Sequence, residues 1–168
     1  MNSAFRVEVL ASNQDRSGFR CGEPILDKYF ETQVSQDIRR FVTKCFVALD
    51  NESDLVAGFY TLASSSVSTT DLPEALVRRL PRYANLPAAR TGRLAVDQRF
   101  SGRGLGAALL GDAVARTVQS GPAAWCLVVD AKNETAAAFY VHHGFQPLAS
   151  EPRTLFLPLA TGQKLLLR

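Results

Sequence analysis

Three cysteines in 168 residues, Cys21, Cys45 and Cys126, are odd in number, widely spaced and form no Cys-x-x-Cys pair. That spacing argues against a disulfide framework and against a zinc site; three reduced, mostly buried thiols in a cytoplasmic protein are expected, with no metal. No stretch approaches the roughly 18–20 uninterrupted apolar residues of a membrane span. The opening residues, MNSAFRVEVLASNQDR, lack the apolar segment and cleavage site of a secretory signal, so no membrane is expected as a partner. Repeats, low-complexity tracts and linkers are missing too. So is a Walker-type GxxxxGK[ST], which leaves a P-loop nucleotide hydrolase without its phosphate cradle. What remains, at 46% hydrophobic, reads as a single globular domain over residues 1–168 with room for a real core.

What is present is an uneven charge. Between Arg78 and Arg103 stand seven arginines (78, 79, 82, 90, 93, 99 and 103) and one acid, Asp97. This segment carries +6 in a chain whose net charge is +3, so the remainder is acidic. All seven are arginine, whose planar fork suits bidentate contact with phosphate oxygens. A solvated face is the other reading, and a phosphate-bearing partner is the sharper one.

Periodicity gives the organisation. FRVEVLA (5–11) alternates as a short strand, and EPILDKYFETQVSQDIRRF has apolar residues at helical spacing after Pro24. KCFVALD and DLVAGFYTLASSSVS flank the turn residues NES as an antiparallel hairpin. DLPEALVRRL reads as a short helix running into PRYANLPAAR, a proline-marked loop. GRLAVD and AAWCLVVDA are short apolar strands around a helix from about Leu105 to Gln119, a βαβ unit that predicts those two strands to be parallel. NETAAAFYVHHG is a further helix, with Asn133 as N-cap and Gly144 as its stop. TLFLPLATGQKLLLR is expected to close the chain as a hairpin around Thr161-Gly162. Together these elements predict a mixed α/β sheet in one domain.

The informative corner is RLAVDQRFSGRGLGAALLGDAVAR, where Gly102, Gly104 and Gly106 alternate just before a helix. A glycine-rich first turn exposes unpaired N–H groups and the positive end of the helix dipole, and no Cβ keeps a diphosphate away. Arg99 and Arg103 add charge beside it. The glycines could instead make only a tight turn. A dinucleotide fold is the rival reading: Gly102 to Ala107 satisfies G-x-G-x-x-A, and Asp130 ends the next strand. Against it, DQRFS separates the fingerprint from its strand, and further βαβ repeats are missing.

Arg99-x-x-Gly102-x-Gly104 after a strand, opening a helix, resembles the acyl-coenzyme-A loop of the GNAT acetyltransferase superfamily. With CGEPILDKYF, DIRRF, GFYTLASSSV, LPRY, GRLAVD, GLGAALLGDA, VDAKNETAAAFYVHHGF and LFLP, the chain looks like the TacT-type tRNA-acetylating toxins of bacterial type II toxin–antitoxin pairs. The resemblance implies a single-domain GNAT fold, a mixed and mostly antiparallel sheet with splayed central parallel strands flanked by helices. It also implies acetyl-CoA as co-substrate and acetylation of the α-amino group of aminoacyl-tRNA, which blocks translation. A ribbon-helix-helix antitoxin, a homodimer, and operator DNA met only through the antitoxin complex would be its partners. By the same resemblance the backbone of Leu94, Ala95 and Val96 pairs with the pantetheine arm. The amides of Gly102, Arg103, Gly104, Leu105 and Gly106, with Arg99 and the Arg103 side chain, hold the pyrophosphate. Asn133 contacts the coenzyme, a role compatible with a plain N-cap. Tyr140 matches the tyrosine that protonates the departing thiolate; a core aromatic is its other reading. Because neighbouring helix residues diverge by about 100°, Phe139 is expected to take the core while Tyr140 faces the cleft.

Chemistry narrows the acceptor. A lysine amine, with a pKa near 10.4, needs a strong base at neutral pH, whereas an α-amine near 7.7–8.0 is already partly neutral. GRLAVDQ offers no glutamate, although Asp97 is close; His142 and His143, at a helix end, read as surface or dipole partners. A missing base is compatible with an aminoacyl ester. Arg78, Arg79, Arg82, Arg90 and Arg93 are then placed to receive an acceptor stem through its phosphates. A GNAT enzyme for a small-molecule amine or a protein N-terminus is the alternative, and a coenzyme-A-binding module without turnover is a third.

Overall fold

A computed structural model describes residues 3–166. In chain order the elements are β1 (Phe5–Val9), α1 (Pro24–Lys28), a π-helical turn (Tyr29–Gln33), α2 (Val34–Arg39), β2 (Lys44–Asp50) and β3 (Val56–Ser68). After a 3-10 turn (Thr69–Asp71) come α3 (Glu74–Val77), β4 (Asn85–Thr91) and β5 (Leu94–Val96), then a second 3-10 turn (Gln98–Phe100) and α4 (Leu105–Gln119). The chain ends with β6 (Cys126–Asp130), α5 (Glu134–His142), β7 (Gln146–Pro147), β8 (Thr154–Pro158) and α6 (Leu159–Leu166). Two compact units are formed: one from the chain up to Ala63 with Arg93–Asp112, the other from Ser64–Gly92 with the chain from Ala113. The long elements β3 and α4 each start in the first unit and finish in the second.

In the first unit β1, β2 and β3 are antiparallel neighbours, and β5 pairs antiparallel with β3, Gly58 opposite Val96 and Tyr60 opposite Leu94. The core gathers Phe19, Tyr29, Phe30, Val34, Cys45, Val47, Leu49, Val56, Phe59 and Ala95. Phe30 and Phe59 are fully buried and stack at 4.2 Å; truncating either to alanine would cost about 3–5 kcal/mol. Gly58 lies at a close approach, where a Cβ would crowd the Ala95 carbonyl and Leu109, both at 3.0 Å. That close approach seats the first turns of α4 against β3 and β5.

In the second unit β4 and β6 run parallel, from Ala88 opposite Cys126 to Thr91 opposite Val129, while β8 is antiparallel to both β6 and β7. Val67, Leu72, Leu86, Ala88, Cys126, Val128, Leu148 and Phe156 form its core. The sheet is thus mixed and mostly antiparallel, as expected. Burial pushes the thiols of Cys45 and Cys126 up to about 12, which leaves both inert.

Three expectations are corrected. The parallel partner of β6 is β4, not the strand of GRLAVD, because the pairing stops at Thr91 and β5 pairs with β3 alone. The stretch PRYANLPAAR is therefore half strand: Pro87 precedes the first paired residue and supplies only a carbonyl, which accepts the Trp125 N–H at 2.8 Å. Among the described residues Thr154–Leu166 form no hairpin: β8 runs directly into α6, and positions 167–168 of that expectation lie outside the described residues. Gly162 is buried inside α6, where a Cβ would press on Leu157 at 3.1 Å and Val114 at 3.3 Å, so this glycine serves close packing rather than a turn.

Candidate active site

Strand β5 is short, and its pairing alternation decides what it can offer. The Thr61 N–H donates to the Arg93 carbonyl (3.0 Å) and the Asp97 N–H to the Ala57 carbonyl (2.8 Å). Antiparallel pairs alternate, so Ala95 also turns its backbone toward β3, while Leu94 and Val96 turn theirs to the opposite edge. Among the described residues no strand pairs with that edge. Of the three residues expected to meet an acyl arm, Leu94 and Val96 have backbone groups aimed outward, and Ala95 buries its methyl in the core.

The loop that follows is built around Asp97, only 1% exposed. Its carboxylate accepts from the amides of Arg20 (3.0 Å) and Arg99 (2.9 Å) and from both sides of the Arg99 fork, Nε at 2.9 Å and Nη2 at 3.0 Å. Burial alone would raise its pKa, but these donors outweigh burial and hold it below the usual carboxylate range. Asp97 is therefore an ionised fastener and not a base for an incoming amine. Gly102 (φ +75°) and Gly104 (φ +77°) both adopt the left-handed backbone, and the space where a Cβ would project is open at each. Helix α4 begins its ladder with the Ala108 N–H on the Gly104 carbonyl (3.1 Å), so the amides of Leu105, Gly106 and Ala107 precede the first helical bond. The combination is an open, glycine-lined helix start, the backbone geometry that suits an anion. The Arg103 guanidinium lies over the rings of Phe5 (4.7 Å) and Phe100 (6.0 Å), which holds its charge beside that helix start.

The arginines divide by what already fills them. The forks of Arg99 and Arg90 are taken: Arg90 donates through Nε (2.7 Å) and Nη2 to Asp130, which also accepts from Thr154 (3.2 Å). Asp130 is thus a strand-to-strand partner, and the dinucleotide reading loses its ribose acid. Arg78 bridges Glu74 in an exposed pair worth little. Arg79 and Arg82 are exposed, and their side chains have no hydrogen bond or ion pair to a described residue. Arg93 stacks on Tyr29, 3.7 Å from the ring centroid.

In α5 the Asn133 side chain accepts the Ala136 N–H at 2.8 Å, and Gly144 sits at φ +96°, so cap and stop are as expected. The burial expected of the two rings is reversed, while the Tyr140 hydroxyl is not among the buried unpartnered atoms. Tyr140 is 3% exposed and Phe139 only half-buried; Tyr140 faces Phe139 (5.3 Å) and Phe145 (5.5 Å). The loop residue Phe145 folds back after Gly144 and covers the tyrosine side of the helix. Burial, with Asp130 nearby, pushes the Tyr140 hydroxyl above its ordinary range. It is a protonated donor with no hydrogen bond to a described residue. His143 packs on Phe139 with its pKa lowered by burial and by His142, which keeps it neutral.

Residues 42–147 match the acetyltransferase (GNAT) domain family. The chain belongs to that family. A Mycobacterium tuberculosis protein named tRNA-acetylating toxin is 35% identical over 159 residues, covering 94% of this chain and 93% of the relative. Among solved structures, AtaT complexed with acetyl-methionyl-tRNAfMet matches with a TM-score of 0.86 and 30% identity, over 96% of this chain and 98% of that one. A tyrosine-to-phenylalanine AtaT toxin, bound to the C-terminus of the antitoxin AtaR and acetyl-CoA, matches with a TM-score of 0.78 and 26% identity, over 99% and 100%. Sequence reasoning missed Tyr29, whose apolar spacing marked it only as core, and Asp37, eight residues on, which carried no signal.

Proposed function

We propose that this GNAT chain is an acetyl-CoA-dependent N-acetyltransferase toxin that acetylates the α-amino group of aminoacyl-tRNA and so blocks translation. The observation that carries the reading is similarity along nearly the whole chain to a tRNA-acetylating toxin and to a toxin solved with its acetylated tRNA.

Acetyl-CoA supplies an activated acyl thioester. Leu94 and Val96 extend the sheet to the pantetheine arm through their outward N–H and C=O groups. The amides from Gly102 to Gly106, with Arg103, hold the pyrophosphate, while Arg99 shapes the loop through Asp97 and Asn133 orients the start of α5 beside the coenzyme. The acceptor amine attacks in its neutral form, which an α-amine near pKa 7.7–8.0 supplies without a dedicated base. As the new C–N bond forms and the C–S bond breaks, Tyr140 gives its phenolic proton to the leaving sulfur, the nitrogen releases its own proton to solvent, and a proton from solvent restores the phenol. Arg79 and Arg82, with Arg78 and Arg93, receive the RNA backbone; Arg90 supports the sheet beneath them. A ribbon-helix-helix antitoxin neutralises the toxin, operator DNA is reached only through that complex, and the active form is a cytoplasmic homodimer of this one domain.

Labelled acetyl-CoA offered with charged tRNA, free polyamines and peptides tests the reading. Label should enter charged tRNA as an N-acetylaminoacyl ester. Transfer to polyamines or peptides with charged tRNA unmodified would leave an acetyltransferase of another acceptor class.

A further inference from the structure

Two of the seven arginines, Arg93 and Arg103, are held against aromatic rings without being filled, and of the two only Arg93 is half-buried. Arg93 is half-buried, yet none of its side-chain donors is hydrogen-bonded to a described residue. Its backbone is fixed twice by the buried Thr61, the Arg93 N–H donating to Oγ1 (3.2 Å) and its carbonyl accepting the Thr61 N–H (3.0 Å). Its guanidinium carbon lies over the Tyr29 ring, 3.7 Å from the centroid, and the Tyr29 hydroxyl donates to Asp37 at 2.8 Å; the Gln33 side chain donates to the same carboxylate at 3.2 Å. A stacked guanidinium keeps its in-plane N–H groups available, and planar bidentate capture of phosphate is what that geometry suits.

The helix is adapted to this arrangement. Eight residues of straight α-helix turn about 800°, which would set Tyr29 and Asp37 roughly 80° apart around the axis. The π-helical turn Tyr29–Gln33, closed by the Val34 N–H on the Tyr29 carbonyl, absorbs about one extra residue and brings the pair to within roughly 20° of one face. Arg93 directly precedes Leu94, whose amide faces the open edge.

We infer that Arg93 takes a phosphate near the 3′ end of the acceptor nucleic acid, and that Tyr29 and Asp37 are positioning residues that hold its guanidinium for it. The inference rests on charged tRNA being the acceptor. Arg90 and Arg99, whose forks are occupied by carboxylates, cannot serve this way without breaking an ion pair.

Steady-state kinetics with charged tRNA test it through a double-mutant cycle. Arg93→Ala should raise KM about tenfold with kcat within threefold. Tyr29→Leu should raise KM three- to tenfold, and Tyr29→Phe or Asp37→Asn about two- to fourfold. In the Arg93→Ala background the Tyr29 and Asp37 changes should have no further effect on KM, because they act through the arginine. If Tyr29→Leu does not fold, Tyr29→Phe and Asp37→Asn, which keep the packing volume, complete the cycle. Tyr29 or Asp37 variants that raise KM equally with and without Arg93, or an Arg93→Ala enzyme with unchanged KM, would overturn the inference while the acceptor assignment stands. A wild type that leaves charged tRNA unmodified would remove the acceptor itself, and the inference with it.

Discussion

Asp97 grips Arg99, two residues on, at three points: Oδ1 accepts from its backbone amide and Nε, each at 2.9 Å, and Oδ2 from Nη2 at 3.0 Å. The same carboxylate caps the 3-10 turn Gln98–Phe100 that leads into Gly102. The loop before α4 therefore hangs on one buried negative charge.

Asp97→Asn should loosen this fastening. The amide keeps one acceptor oxygen but loses the ionic, forked pairing, and acetyl-CoA affinity should fall several-fold in calorimetric titration. The pH signature follows from the depressed folded pKa. Such a group stabilises the fold above its unfolded pKa, near 3.9, and that contribution is lost as pH falls through the folded value. Between pH 7 and about 4 the wild type should therefore keep this contribution, and below it should lose urea resistance more steeply than the asparagine variant.

Gly104→Val should lower acetyl-CoA affinity more than tenfold without unfolding the protein. Open space at the Cβ position means that no neighbour is displaced; the cost is the left-handed backbone, about 1–2 kcal/mol, and a branched side chain where an anion would approach. Gly104→Ala separates the two effects. It bears nearly the same strain, so if blocking matters, alanine binds acetyl-CoA better than valine at similar thermal stability.

Replacing Arg79 and Arg82 together by alanine should weaken charged-tRNA binding and reduce the salt slope by roughly one to two. Acetyl-CoA affinity should stay put. Arg90→Ala should behave differently, because it strands Asp130 between strands and shows first as lost thermal stability. Equal salt slopes for wild type and the Arg79/Arg82 double variant would take the phosphate contacts away from this segment.

Local chemistry explains which features the sequence revealed. Asn133, Gly144 and the start of α4 at Leu105 were legible because caps and left-handed glycines are dictated within a few residues. Sheet pairing was not. Whether β6 lies beside β4 or β5 depends on the chain changing partners at Gly92-Arg93, and Pro87 hid the strand that made the difference. Charge type was visible but not its occupancy: Arg90 and Arg79 look alike in sequence, and only the fold brings Asp130 to one of them. Gly162 illustrates the same limit, since a glycine that permits helix packing cannot be told from one that permits a turn.

Tyr140→Phe gives the sharpest separation of chemistry from packing. The ring is buried against Phe139 and Phe145, so phenylalanine keeps the contacts, and the hydroxyl hydrogen-bonds no described residue. Stability should therefore be nearly unchanged, because the substitution removes no hydrogen bond to a described residue and keeps the ring packing. Acetyl-CoA affinity should also persist. Turnover should fall by about 10²–10⁴, the usual effect of losing a general acid. Burial, the main cause, raises the hydroxyl's pKa, so in the wild type the proton is retained throughout the range in which the acceptor amine becomes neutral. The wild-type rate should rise with pH through about 8, following the amine, and show no alkaline decline from Tyr140 below its ordinary value near 10. Expression in cells extends the test: the wild-type chain alone should arrest growth, and the Tyr140→Phe chain should not. A folded variant with turnover within threefold of wild type would make Tyr140 a packing aromatic, with the thiolate leaving unassisted.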